Sequence, residues 1–396
     1  MLEKIKCTGC SACGDICPKR CIQFNMDEEG FYYPVIDGKL CVECKACENV
    51  CPVLHQPIQR LTETKCYALK NKNYNIQIKS SSGGVFSEIA FYVLRDKGIV
   101  WGAMFDKEFN VVHSYVTNEN DLYKISRSKY VQSRMDSVYI EIRKQLQNGL
   151  LVLFSGTPCQ VTALSNFLNT DRYKNQLILI DIVCHGVPSP MIWQEFLKTI
   201  SKKFNKRRED IKYIAFKIKD NSKYEWTHSG FSIEWKDDKY IDYANCSWYE
   251  NGFLGNLYVR PSCHSCEFKN LKSTSDITIG DFWGCDKVIP AFNDRNGVSI
   301  LFTQTDAGKK LFGDISNKFE VIPISVEDAC RYNYRITNPT PKADRRNFFW
   351  ENYKQINNER SYDQIDLLIA KSLKPKYALK LIRHWTNKVR KYMDDI

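Results

Sequence analysis

The feature that most constrains this chain is a cysteine pattern that occurs twice before residue 52. The first copy reads Cys7-x2-Cys10-x2-Cys13-x3-Cys17-Pro18, and the second Cys41-x2-Cys44-x2-Cys47-x3-Cys51-Pro52. Three thiolates this close together cap three irons of one 4Fe–4S cube. The fourth lies too far along to fold back and ligates the other cube. The spacing therefore assigns Cys7, Cys10, Cys13 and Cys51 to one cluster, and Cys41, Cys44, Cys47 and Cys17 to a second. Zinc favours two pairs of ligands over a run of this form. Pro18 and Pro52 turn the chain away after the last ligand. Cys21 falls outside the pattern and reads as a small buried residue beside a cluster.

The whole chain has 17 cysteines in 396 residues. Disulfide scaffolds this rich in cysteine are usually short and secreted. This N-terminus, MLEKIKCTGC, has no apolar signal core, so metal ligation in a reducing cytoplasm is the expectation. No stretch approaches about 18 consecutive apolar residues, so no transmembrane helix is expected. With 43% hydrophobic and 26% charged residues, a disordered chain is excluded. Residues 1–55 hold six Lys and Arg against eight Asp and Glu, and the rest of the chain carries +13. An acidic cluster module on a basic body places an anionic ligand on the body, unless the basic surface is simply solvated. No helix-turn-helix or RNA-binding signature accompanies that charge, so no nucleic-acid partner is expected.

Four further cysteines form a looser set. Cys159 follows the strand-like run LLVLFSGTP, Cys184 follows LILIDIV, and Cys263-x2-Cys266 lies in RPSCHSCEFK. Parallel strands ending side by side would bring the first two to one sheet edge, where open α/β sheets bind ligands. The four thiolates suffice for a third 4Fe–4S cluster. Spacing alone leaves open a CxxC zinc knuckle with two inert strand cysteines.

Residues 56–79 read as a linker leading into the strand TKCYALK. The loop Ser80–Gly84 then opens a helix whose apolar face holds Val85, Phe86, Ile89, Ala90 and Val93. Unpaired N–H groups at such a start suit a pyrophosphate, although neither a dinucleotide fingerprint nor a P-loop is present. A hairpin over 99–116, turning near Asp106, comes next. SRSKYVQS places Arg127 and Lys129 beside Tyr130, either a pairing of cations with an aromatic ring suited to a flavin or a solvated helix start. Helices over 136–148 and 190–204 alternate with the cysteine strands, which predicts a mixed sheet with flanking helices. From 212 to 243 the pattern turns to strands. Residues 364–396 read as a basic tail with Ala378, Ile382, Trp385, Val389 and Tyr392 on one helical stripe, able to rest on anionic lipid, a protein partner or its own domain.

SSGGVFSEIA, SKYVQS, LFSGTPCQ, VCHGVPSP, RPSCHSCEFK and DITIGDFWG occur in one order along the chain. Together they resemble the coenzyme F420 hydrogenase/dehydrogenase beta-subunit family, here behind a two-cluster bacterial ferredoxin domain, over about residues 1–340. Bacterial members with this arrangement are often found among polysaccharide-synthesis genes. The resemblance implies FAD with a 4Fe–4S cluster nearby. It makes Cys159, Cys184, Cys263 and Cys266 cluster ligands, and Ser82, Gly83, Gly84, Lys129 and Thr157 flavin contacts. Arg127 stands where many members have Gly.

The expected fold is α+β: a ferredoxin-like domain over 1–55, a mixed α/β flavin- and cluster-binding domain over 56–340, and a basic helical tail over 341–396. The expected activity couples one-electron transfer through clusters to hydride transfer between FAD and a small molecule, deazaflavin or another. An external one-electron partner completes the circuit. A non-catalytic electron-transfer subunit is the alternative, and a cluster-bearing nucleic-acid binder a weaker one. His185, beside Cys184, is the candidate proton donor or hydrogen-bond donor to flavin or substrate, against a bond to cluster or backbone.

Overall fold

The computed structural model describes all residues except 1, 57–62, 169, 221, 223–224, 229, 244–246, 357–358 and 374–396. Residues 2–56 form the small cysteine-rich unit. Strands β1 (Ile22–Met26) and β2 (Tyr32–Ile36) make an antiparallel hairpin between the two cysteine runs. Each run turns into a short helix, Ala12–Ile16 and Ala46–Asn49, from a left-handed residue between its second and third cysteines: Ser11 at φ 65° and Lys45 at φ 58°. The sequence repeat is thus also a backbone repeat.

The body is built on a sheet of eight strands. These are β3 (Lys65–Asn71), β4 (Ile99–Phe105), β5 (Val111–Val116), β6 (Val152–Gly156), β7 (Leu177–Ile182), and, after a second sheet, β11 (Ile277–Asp281), β12 (Ser299–Thr303) and β13 (Phe319–Ile324). Their order is β13-β3-β12-β11-β7-β6-β4-β5. The central strands β11, β7, β6 and β4 are parallel, with Val152 opposite Leu177 and Ile180 opposite Ile277. Val152, Leu153 and Phe154 are all buried, as expected of a strand covered on both faces. Helices Val138–Gln147 and Pro158–Leu168 cover one face, and helices Val85–Arg95 and Asp306–Ile315 the other. The C-terminal ends of the parallel strands share one edge, where Thr157 and Cys184 follow β6 and β7.

The second sheet, β8 (Ile211–Ile218), β9 (Gly230–Trp235) and β10 (Lys239–Asp242), is antiparallel. It packs with helices Pro190–Lys203 and Trp248–Leu254 around an aromatic core of Trp193, Phe196, Phe231, Trp248 and Tyr249.

The structure corrects the sequence reading in three places. The strand expected at TKCYALK is β3, an interior strand of the main sheet, but the end of the 56–79 linker is the helix Tyr74–Lys79. Cys159 lies in the first turn of a helix, not at a strand end, because Pro158 favours a helix start. The stretch from 341 is not a separate tail over its described part. Helices Arg346–Gln355 and Tyr362–Ser372 bury Phe349, Trp350, Ile365 and Ile369 in the aromatic core. The stripe from Ala378 to Tyr392 lies outside the described residues. Among the described residues, no helix is long and apolar enough to cross a membrane.

Candidate functional site

The thiols of the first cysteine set lie near one another. Cys10 is buried among Cys7, Cys13 and Cys51; burial first, then the neighbouring thiols, raise its pKa. The same causes push Cys13 up to about 12, and Cys47 of the second set also faces it. Cys21 is buried, with its sulfur 3.4 Å from that of Cys17, and it faces Cys41. Cys44 is exposed.

Cys159, Cys184, Cys263 and Cys266 line one cavity of about 70 Å³. Gly186 permits this convergence. It sits at φ 134°, and a Cβ there would stand 2.7 Å from Val259 and 3.3 Å from the Cys263 Cβ. The bridge between Pro188 and Val259 brings the two segments together. Burial raises the pKa of all four thiols, and neighbouring thiols add to it at Cys159, Cys184 and Cys263. Such a set is stable as thiolates only when a multiply positive centre offsets the repulsion, which fits an iron–sulfur cube. Among the described residues, no three Cys, His, Asp or Glu side chains stand at the spacing of a single-ion site. Cys159 also faces Cys10, so this set adjoins the first ferredoxin set.

A second cavity, of about 460 Å³, lies along the same sheet edge. Its size is within the range of cofactor pockets. Ser82, Gly84, Lys129 and Thr157 line it. Gly84, at φ 93°, opens helix Val85–Arg95, whose first N–H groups lack intrahelical partners. The two loops at its mouth are tied together: Ser128 N donates to Ser81 Oγ at 3.0 Å, and Arg127 Nε donates to the Lys79 carbonyl at 2.7 Å. Arg127 has φ 66°, a conformation that favours the Gly expected there. The residue lines this cavity, and its Nη1 is buried without a hydrogen-bond partner. An unpartnered guanidinium nitrogen near a helix N-terminus fits a phosphate-bearing cofactor.

Three expected contacts behave differently from the reading. Gly83 faces the sheet instead of the cavity: its N–H donates to Ser299 Oγ at 2.8 Å, and a Cβ would lie 2.2 Å from the Leu69 carbonyl oxygen. Glycine is needed there for packing. Lys129 Nζ donates to the Ser126 carbonyl at 2.5 Å; burial, then Arg127, push its pKa down to about 7. His185 has both ring nitrogens engaged. Arg335 Nε donates to Nδ1 at 2.7 Å, so the ring proton sits on Nε2, 2.7 Å from Asn256 Oδ1. That ring has no free proton for a substrate, and its bonds are structural.

Sequence reading passed over other groups on the wall. Lys217 pairs with Asp281 at 3.0 Å, and Glu250 is buried, its carboxyl pushed up to about 8 by burial and Asp242. Asp281 and Trp283 fall within the motif DITIGDFWG. Lys217 sits at φ 57° where the β8–β9 register shifts, a bulge no local pattern announces.

Residues 150–327 match the profile of the C terminus of the coenzyme F420 hydrogenase/dehydrogenase beta subunit, and residues 6–54 that of the 4Fe-4S dicluster domain. The first match begins after the SSGG and SKYVQS loops. Among solved structures, a chain of the F420-reducing NiFe hydrogenase complex from Methanosarcina barkeri is 16% identical. That alignment covers 77% of this chain and 96% of that chain, with a TM-score of 0.46. Among curated proteins, none matches. Residues 150–327 are thus similar to the C terminus of the coenzyme F420 hydrogenase/dehydrogenase beta subunit, and residues 6–54 to a 4Fe–4S dicluster domain.

Proposed function

We propose that this chain is a member of that beta-subunit family and an iron–sulfur flavoprotein oxidoreductase. It exchanges hydride with a small organic molecule, a deazaflavin or another, and passes the electrons singly to an external carrier. The observation that carries this reading is a shared wall. Thr157, Cys184, His185 and Arg335 border both the thiol-lined cavity and the larger one.

FAD bound in the larger cavity would supply the exchange between paired and single electrons. The chain's own groups position and insulate. Gly84 and the helix start behind it offer N–H groups to a pyrophosphate, with Arg127 Nη1 beside them. Glu250 holds a proton at neutral pH on the cavity wall, next to the Lys217–Asp281 pair. The thiol sets supply an ordered path: Cys159 faces Cys10, Cys13 faces Cys47, and Cys44 of the last set is exposed.

The test is rapid mixing of reconstituted protein with a reduced deazaflavin or nicotinamide donor. Flavin bleaching followed by cluster bleaching supports the reading. Cys44→Ser should keep flavin reduction and lose transfer to an external acceptor. A protein whose clusters accept electrons from a reduced carrier while no hydride donor bleaches its flavin would be a relay subunit instead.

A further inference from the structure

We propose that Arg335, aimed by His185, is the positioning residue that places a fixed positive charge at the junction of the flavin and third-cluster sites and raises the flavin's reduction potential. The inference rests on the flavoprotein reading and adds a role for three residues to it.

The bonds define the arrangement. Arginine donates only, so His185 Nδ1 must accept from Arg335 Nε at 2.7 Å, and Nε2–H then faces Asn256 Oδ1 at 2.7 Å. The imidazole is a neutral connector with one acceptor and one donor, both used. Phe253 packs edge-on against its ring at 4.9 Å, which fixes the ring's plane. A buried lysine anchors the Arg335 segment. Lys269 Nζ donates to the Cys184 carbonyl at 2.6 Å and to the Arg335 carbonyl at 2.8 Å. The strand-end loop bearing Cys184 and the short helix Tyr334–Thr337 bearing Arg335 are thereby held side by side.

Position gives the charge its effect. Arg335 lines both cavities, and Trp283 faces its guanidinium at 6.0 Å on the flavin side. Lys217 on that wall is neutralised by Asp281, and Lys129 spends its ammonium on backbone carbonyls. The Arg335 guanidinium has no carboxylate partner among the described ion pairs. Arg335 is half-buried, and such a charge favours the more negative, reduced form of a neighbouring cofactor.

The experiment is a spectroelectrochemical titration of reconstituted wild type, Arg335→Gln, Arg335→Lys, His185→Gln and His185→Phe, with flavin and iron counted in each. Arg335→Gln should keep both cofactors and shift the flavin midpoint to lower potential. Arg335→Lys should retain most of the wild-type value. His185→Gln, whose amide both accepts and donates, should stay near wild type, while His185→Phe should shift in the direction of Arg335→Gln. An unchanged midpoint in Arg335→Gln overturns the proposal. If that variant loses a cofactor, Arg335→Lys decides, and a fully lowered midpoint there overturns it as well. Wild type without flavin after reconstitution sinks the parent reading, and the proposal with it, before any variant is compared.

Discussion

Arg260 Nε donates to the carbonyl oxygen of Cys7 at 2.7 Å, so a buried cation of the body reaches inside the cluster module. The same guanidinium donates to Gln132 Oε1 at 2.8 Å and to the Tyr32 carbonyl at 3.0 Å, and its Nη2 lies 3.7 Å from the Cys7 sulfur. Gly9 is glycine for this reason: a Cβ would stand 2.6 Å from Arg260 Nη1. Asp15 accepts from the Ser137 and Tyr139 backbone N–H groups, and Tyr139 donates to the Cys10 carbonyl at 2.7 Å. The module is seated by many such bonds.

Arg260→Ala should therefore do more than remove a charge. It leaves three acceptors without their donor, and a hydrogen bond to a charged group contributes about 1.5–3 kcal/mol. A lowered melting temperature is expected, together with slower electron transfer between the body and the Cys7 cluster. Wild-type stability and transfer rates in this variant would mean that the module is seated by other contacts.

Phe349→Ala tests whether residues beyond 340 belong to the body. Phe349 is fully buried against Tyr258, Trp350 and Tyr353. Truncating a buried phenylalanine costs about 3–5 kcal/mol. A large drop in the urea midpoint is expected; an unchanged midpoint would return this stretch to the status of a loose tail.

Gly83 and Gly84 should separate in their effects. Gly83→Ala forces a Cβ to 2.2 Å from the Leu69 carbonyl oxygen and should destabilise the fold whether or not flavin is present. Gly84→Val meets Asn71 and Ile76 at 3.2 and 3.3 Å and strains a φ of 93°, displacing the helix start that faces the cavity. It should lower flavin affinity at least tenfold while the ferredoxin clusters remain. Equal flavin retention in Gly84→Val and wild type would place the pyrophosphate elsewhere.

Lys129 gives a pH dependence of known sign. Its folded pKa, about 7, lies below its unfolded value near 10.5, so the folded state binds fewer protons between them. Its contribution to flavin-free stability should rise from about pH 7 to pH 10.5. An anionic cofactor reverses the shift, so binding at pH 8 should take up a proton and weaken as pH rises. Calorimetry in buffers of different ionisation enthalpy measures that uptake, and Lys129→Met should lose it. Identical uptake in the variant would remove Lys129 from the site.

What the sequence disclosed follows from how local each signal is. Cys7 to Cys51 were legible because a cluster fixes ligand spacing within a few residues, and Cys21 because a small residue beside a ligand has few roles. Cys159, Cys184, Cys263 and Cys266 were partly legible, since parallel strands end at one edge. Arg260, Lys217 and Arg335 were not, because their partners lie far along the chain and arginine or lysine in a loop carries no local mark. Gly83 was misread because a glycine pair does not reveal which member faces the ligand and which faces the sheet.

The measurement that bears most directly on the central claim is flavin and iron content from one anaerobic, FAD-reconstituted preparation of wild type and Cys184→Ser. Four irons per cube give about twelve irons beside one flavin in wild type. Cys184→Ser should fall to about eight irons and show an altered flavin spectrum, because Cys184 lines both cavities. Wild type with about eight irons and no flavin would contradict the account, leaving a two-cluster ferredoxin on a body that holds neither cofactor.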